Sequence, residues 1–337
     1  MFVRRATLSK GSALRAGSAG PRGPGGPRYA NLLAPTRRRG HTAAVSPPTD
    51  RVRSALTWIA AAALLAGFAR LAADTPWPLF ATALLPAAFA AAAVVRIDRH
   101  AHTPRRLLVG AFLWGAVVAP AAALALNEAL RGWIGEVAGP SEAARLTGGF
   151  AAPAVEEIAK ATALAILAVV WRRDLRGVVD GIVFGALIGI GFTMAENLYY
   201  FALAAVAGGS AGLAESVYLR AALGGLLHPT FTATTGAGLG WARGAPRGVG
   251  RLAGPVVGLG LAILQHVAWN TTGAPWLDAA TCGPAAAACA LDGRLHYWLL
   301  SAPAIVLLFI GPGLTGLALL TRRARRSARE SIAGFVP

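Results

Sequence analysis

The chain has few charged residues. Only 14% of its 337 residues are Asp, Glu, Lys or Arg, whereas soluble domains carry about 25%. Acidic residues are the scarcest, with 15 Asp and Glu against 32 Lys and Arg. Such a basic excess suggests nucleic acid in a soluble chain, but here the arginines cluster between apolar segments, and we expect no nucleic-acid partner. With 55% hydrophobic residues, the composition predicts an integral membrane protein.

Cysteine is almost absent. Cys282 and Cys289 are the two in the chain, which excludes a disulfide-rich scaffold and a cysteine-based zinc module. Either a disulfide between them or two free thiols suits the loop that holds them. Residues 1–50 lack the apolar core of about 7–15 residues that a signal peptide needs. They are rich in Arg, Gly, Pro and Ser, which predicts a disordered tail.

Long apolar runs dominate the rest of the sequence. A membrane-spanning helix needs about 20 such residues. Eight segments qualify, at roughly 54–73, 77–95, 107–130, 150–171, 178–200, 217–241, 252–272 and 297–321. The sequence therefore predicts an all-α, polytopic membrane helix bundle of about eight transmembrane helices at 54–321, between basic tails at 1–53 and 322–337.

The basic residues also predict the orientation. If the N-terminal side is inside, the tails and alternate loops on that side hold 26 of the 32 Lys and Arg, as the positive-inside rule requires. Both termini are then cytoplasmic in a multi-pass protein of the cell membrane. The 11 basic residues of the first tail favour contact with anionic lipid.

Polar residues on four of the predicted spans reach a common depth. In this topology they fall in the outer half of the bilayer, with those of the fourth span roughly 9–15 Å from its outer face. These candidate site residues are Glu156, Glu157, Lys160, Glu196, His228, His266 and Asn270. Ionisable groups inside a membrane mark functional sites by default.

Helical spacing predicts how these side chains pair. Glu156 and Lys160 are four apart and share a helix face, so we expect Lys160 to pair with Glu156 and to leave Glu157 freer for chemistry. His266 and Asn270 are also four apart and should point into the bundle together.

Proline and arginine add two further expectations on the sixth span. Pro229 follows His228 and removes the hydrogen bond to the carbonyl of Gly225, so a kink is expected beside the imidazole. Arg220 should lie near the outer surface, solvated or paired.

Structural roles are an alternative for each residue taken alone. Glu156 and Lys160 suit an ion pair between helices, and His228 or His266 suits a hydrogen-bonded contact. Asn270 suits polar packing between membrane helices.

These motifs resemble the PrsW family of intramembrane proteases. The similarity covers roughly residues 95–275. It includes EE-x-x-K from Glu156, F-x-x-x-E from Phe192, HPTFTATTGAGLG from His228, H-V-A-W-N from His266 and the earlier DRHAHTPRRLLVGAFLWGA. The family is distantly related to the CAAX-prenyl endopeptidase membrane proteins, which have a comparable H-x-x-x-N and a His where this chain has Glu196.

The resemblance implies proteolysis of a membrane-anchored protein. The best known role in the family is the first cut of an anti-sigma factor on its extracytoplasmic side. The partners expected are therefore such a substrate and the lipid bilayer.

The residue types leave a carboxylate-activated water as the expected chemistry. No Ser adjoins a base in these motifs, and HExxH is absent. Glu156 or Glu157 would be the general base. One of these two adjacent acids would stay protonated and serve as an acid, while Lys160 holds the other ionised. The remaining roles are water orientation or oxyanion stabilisation by His266 and Asn270, and completion of the hydrogen-bond network by Glu196 and His228.

Three alternatives stay open beside this metal-free, cofactor-free hypothesis. One is a zinc protease, since Glu157, Glu196, His228 and His266 are acceptable ligands by type, although they lack local ligand spacing. The others are a proton-coupled transporter, because buried Glu, Lys and His also build proton relays, and a non-catalytic membrane scaffold.

Overall fold

The computed structural model describes residues 48–98, 103–245, 248–280 and 297–333. Within these ranges the chain is helical and has no strand, which confirms the all-α prediction. Of the basic tail predicted at 1–53, residues 1–47 lie outside the described residues, as does the pairing of Cys282 with Cys289, and α1 begins at Pro48.

Eleven helices are found in the described ranges. They are α1 (Pro48–Asp74), α2 (Trp77–Asp98), α3 (Arg105–Leu113), α4 (Ala119–Ala138), α5 (Pro140–Leu146), α6 (Ala152–Val170), α7 (Val178–Val217), α8 (Leu227–Gly244), α9 (Val249–Ala268), α10 (Ala274–Ala280) and α11 (Ala302–Ala333). Several neighbours join through single π-helical turns, so long rods such as Arg105–Ala138 run on without a loop.

Six helical segments of the described chain are long and apolar enough to cross a membrane, so the chain is a polytopic helical membrane protein. The predicted count of eight is not confirmed by length and composition. One apolar segment, Val178–Gly244, holds two of the predicted spans, because α7 and α8 follow each other through helical turns. Another predicted span corresponds to α6, whose Glu156, Glu157 and Lys160 make it too charged to qualify on composition.

Helix α7 is the centre of the bundle. Nearly every side chain from Asp180 to Phe201 is buried, on all faces of the helix. A helix that is apolar all round is stable only when neighbours cover every face. Helices α2, α3, α6 and α8 pack against it.

Glycines allow α7 and α8 to touch backbone to backbone. A Cβ on Gly181 would lie 2.0 Å from the carbonyl oxygen of Gly236, and one on Gly189 would lie 2.5 Å from that of His228. The two helices are therefore antiparallel, and their close approach requires glycine because any side chain would collide. This contact brings the backbone of His228 directly against α7.

The start of α8 differs from the expected kink. A π-helical turn at Tyr218–Leu223 and a 3₁₀ turn at Gly224–Leu226 precede the helix, which begins at Leu227. Pro229 therefore lies in the first turn of α8, where a missing N–H leaves no intrahelical bond unmade. The break that was expected at Pro229 lies before it.

The loop at 172–177 and the end of α8, both predicted to be cytoplasmic, contact each other. On the last turn of α8, Arg243 donates through Nε to the carbonyl of Leu175 at 3.1 Å and through its terminal nitrogen to that of Arg172 at 2.6 Å. The inside assignment itself stays a prediction.

Candidate active site

Two residues of α6 form a buried ion pair at the centre of the site. Glu157 and Lys160 are both 0% exposed, and Lys160 Nζ lies 2.7 Å from Glu157 Oε1. Its distance to Glu156 Oε2 is 3.9 Å. Lys160 is thus within ion-pair distance of Glu156, as expected, but its shorter contact is with Glu157. The expectation that Glu157 is left freer is wrong, because residues three apart are also neighbours on a helix.

The same ammonium contacts the imidazole of α8. Lys160 Nζ lies 3.0 Å from His228 Nδ1 and 3.9 Å from the centre of the Phe192 ring, so it has both an acceptor and a cation–π partner. An ammonium only donates hydrogen bonds. His228 Nδ1 therefore accepts, and the ring proton belongs on Nε2.

The other nitrogen of His228 joins the imidazole to α7. His228 Nε2 lies 2.8 Å from Glu196 Oε2, which also forms an ion pair with Arg220 at 2.8 Å. Arg220 Nε donates to Asn197 Oδ1 at 3.2 Å. Arg220, expected to be solvated or paired, is thus paired with a residue of the predicted site.

A threonine that the sequence analysis did not select holds the second oxygen of Glu157. Thr232 is fully buried, and its hydroxyl donates to Glu157 Oε2 at 3.1 Å. It lies four residues after His228 and so shares that face of α8. This four-residue spacing from His228 could have predicted that Thr232 faces the site. With Lys160 on one oxygen and Thr232 on the other, Glu157 is fixed in place.

Glu156 is held less tightly than its neighbour. Its side chain is 12% exposed, and its buried Oε2 has no hydrogen-bond partner in the described chain. His266 Nε2 lies 3.8 Å from that oxygen, while His266 Nδ1 lies 3.3 Å from Glu157 Oε1. The spacing between Glu156 and His266 is longer than a hydrogen bond and suits a bridging water or a cation.

Asn270 lies apart from these six residues. Its side-chain amide donates to the carbonyl of Gly148 at 2.9 Å, within the π-helical turn Thr147–Ala151 that leads into α6. Asn270 itself belongs to a π-helical turn, Trp269–Gly273. The wider turn removes the four-residue alignment with His266, so Asn270 positions the backbone before α6.

The cluster contains a donor set suited to a metal ion. One atom each from Glu156, His228 and His266 lies within 4.8 Å of the others. Two imidazoles and one carboxylate are the ligands of several catalytic zinc sites, and the unbonded oxygen of Glu156 fits a ligand role. The predicted zinc set included Glu157 and Glu196 instead, but these carboxylates are paired with Lys160 and Arg220.

Comparison with known proteins gives one family. The family model described as PrsW family intramembrane metalloprotease matches residues 103–308. This range starts later than the resemblance seen in the motifs and continues into α11. The comparisons with curated proteins and with solved structures give no match.

Proposed function

The chain belongs to the PrsW family of intramembrane metalloproteases, and from this premise we propose that it hydrolyses a peptide bond of a membrane-anchored protein near the extracytoplasmic face of the cell membrane. The observation that carries the proposal is the buried cluster in which Glu156, Glu157 and Lys160 meet His228 and His266 from two other helices. Ionisable groups in an apolar bundle are costly and are retained for function.

We assign Glu156 as the general base. Its unbonded oxygen and partial exposure leave it free to accept a proton. Glu157 is less suited because it is fully buried, with Lys160 Nζ at 2.7 Å from Oε1 as an ion-pair partner and the Thr232 hydroxyl donating to Oε2. This reverses the preference for Glu157 that helical spacing gave.

The hydrolysis then follows the chemistry of a carboxylate-activated water. Glu156 takes a proton from the water as the water oxygen attacks the scissile carbonyl carbon, and His266 orients that water. The protonated Glu156 gives the proton to the amine nitrogen as the C–N bond breaks, so a carboxylic acid and an amine are released. The charged Lys160 and the donors around it favour negative charge on the carbonyl oxygen.

A metal-assisted form of this reaction is the second candidate, because the family is described as metalloproteases and the donor set fits. Glu156, His228 and His266 would hold the ion. A bound zinc ion supplies Lewis-acid polarisation of a carbonyl and activation of water. Lys160 Nζ at 3.0 Å from His228 Nδ1 is a nearby positive charge that opposes a cation at that nitrogen.

The substrate class follows from the depth of the site and from the family. A catalytic group in the outer half of the bilayer reaches the membrane-proximal end of a protein anchored by one helix. We propose a regulator of this kind, such as an anti-sigma factor, as the substrate.

Labelling of new protein N-termini in whole membranes tests the function. Membranes that contain the wild-type chain should yield a new N-terminus near the outer end of a single-span protein, and membranes with Glu156→Gln should not. Glu142→Gln is the matched control, because Glu142 pairs with Arg145 on the surface. Identical termini in wild type and Glu156→Gln would reject the proposal and favour a scaffold.

A further inference from the structure

Arg220 belongs to no motif that was selected from the sequence, yet it contacts the site. Its guanidinium makes three contacts, all with one stretch of α7. It forms an ion pair with Glu196 Oε2 at 2.8 Å, donates to Asn197 Oδ1 at 3.2 Å and lies 3.6 Å above the Tyr200 ring. A planar guanidinium that bonds and stacks at once is held in one orientation.

Glu196 transmits this orientation to the imidazole. The oxygen of Glu196 that forms the ion pair with Arg220 also lies 2.8 Å from His228 Nε2. Because Nε2 donates there, Nδ1 is the acceptor that Lys160 meets at 3.0 Å. A continuous series of contacts therefore runs from Arg220 through Glu196 and His228 to Lys160 and on to Glu157.

The local backbone explains why His228 needs such support. Arg220 lies in the π-helical turn Tyr218–Leu223, and a 3₁₀ turn follows before α8 begins. The other side of this segment is anchored where the Tyr218 hydroxyl bonds the carbonyl of Trp298. His228 thus lies in the first turn of α8, directly after an irregular segment.

We propose that Arg220 is a positioning residue of the proposed protease, which acts through Glu196 to fix the tautomer and orientation of His228. The inference rests on the proposed function. Arg220 and Glu196 are 31% and 23% exposed, and Glu196 keeps His228 Nε2 at 2.8 Å when Arg220 is replaced, so the loss of stability should be smaller than for the fully buried Lys160–Glu157 pair. The effect of replacing Arg220 should therefore appear mainly in catalysis.

Steady-state cleavage of one dye-quenched single-span reporter, in proteoliposomes, tests the positioning role. Arg220→Gln should lower kcat about 10- to 100-fold, as loss of an orienting partner commonly does, with KM unchanged and the detergent melting temperature lowered less than in Glu157→Gln. Arg220→Lys should recover part of kcat, because it restores the charge beside Glu196 but not the bond to Asn197. Arg220→Gln combined with Glu196→Gln should be no slower than the slower single variant.

Arg145→Gln is the control for removal of an arginine from the predicted outer side, since Arg145 pairs with Glu142 away from the site. It should leave kcat unchanged. A wild-type kcat in Arg220→Gln, or a change confined to KM, would overturn the positioning role. If Arg220→Gln fails to fold, Arg220→Lys is compared with wild type instead. A lower kcat at unchanged KM would support the positioning role, and a wild-type kcat would overturn it.

Chemical modification separates this inference from the proposed function. Diethyl pyrocarbonate reacts with free imidazole nitrogens, so Arg220→Gln should accelerate modification of His228, measured by mass spectrometry of the whole folded protein. This readout needs no substrate. Accelerated modification without wild-type cleavage would count against the protease and keep the contact role, whereas equal rates in both proteins would overturn the contact role.

Discussion

The ammonium of Lys160 lies 2.7 Å from the carboxylate of Glu157, and both side chains are fully buried. Each charge depends on the other, because an unpaired ion in an apolar interior is strongly unfavourable. Glu156, next in the chain, is 3.9 Å from the same nitrogen. The two adjacent acids thus have different environments. In the proposed function, Glu157 stabilises Lys160 and Glu156 accepts the proton.

The first prediction separates Glu156 from Glu157. Glu156→Gln should abolish cleavage and leave the melting temperature in detergent unchanged. Glu157→Gln should lower the free energy of unfolding by about 3–5 kcal/mol, because it leaves Lys160 buried without its counter-ion. Thermal melting and cleavage of the same purified samples check both. A stable but inactive Glu157→Gln together with an active Glu156→Gln would reverse the assignment.

The second prediction concerns the buried pair as a unit. Lys160→Met alone should destabilise the protein, since Glu157 loses its main counter-ion. Lys160→Met combined with Glu157→Gln should recover much of that loss, because a neutral pair needs no charge compensation. Activity should stay absent in the double variant. Additive losses of stability in the melting curves would contradict the dependence of one charge on the other.

The third prediction tests the close approach of α7 and α8. Gly189→Ala should destabilise the protein by about 1–3 kcal/mol and impair cleavage, because its Cβ would meet the backbone of His228 at 2.5 Å. Gly110→Ala is the control, since its Cβ would meet nothing within 4 Å. If both variants melt and cleave alike, the packing does not position His228.

The fourth prediction decides between the two forms of the chemistry. With the water activated by Glu156 alone, purified protein should contain less than one zinc per chain by mass spectrometry of the metal and should cleave in the presence of a strong chelator. Stoichiometric zinc that disappears in His266→Ala, with loss of activity in chelator, would favour the metal form.

The fifth prediction tests the orientation. Alkaline phosphatase is active only outside the cytoplasm, so a fusion after Gly209 should be active and one after Ala245 inactive. Fusions of a green fluorescent protein at the same sites should give the opposite pattern. A reversed pattern would place the site in the inner half of the bilayer and reject extracytoplasmic cleavage.

Sequence reasoning predicted which polar side chains lie together better than it predicted their individual contacts. A charged residue in an apolar segment can be recognised from the sequence alone, as Glu157 and Lys160 were. The convergence of His228 and His266 followed from loop charges and helix length. These arguments needed only hydropathy and the rise of a helix, and for these residues they agree with the structure.

The remaining details depend on backbone irregularity and packing. The π-helical turn at Trp269–Gly273 means that Asn270 no longer lies on the same helix face as His266. Residue spacing does not predict such turns. The hydrogen bond from Thr232 to Glu157 forms only because α6 packs against α8, so the sequence does not predict it. Arg220 becomes part of the site only because the turn before α8 directs it towards Glu196. Tertiary packing decides each of these.

The most direct test of the central claim is cleavage of a single-span substrate in proteoliposomes by wild type and Glu156→Gln, with the new N-terminus identified by mass spectrometry. The account predicts one cut near the outer end of the substrate helix with wild type, and none with a Glu156→Gln protein that melts at the wild-type temperature. The same cut at an undiminished rate by Glu156→Gln would contradict it.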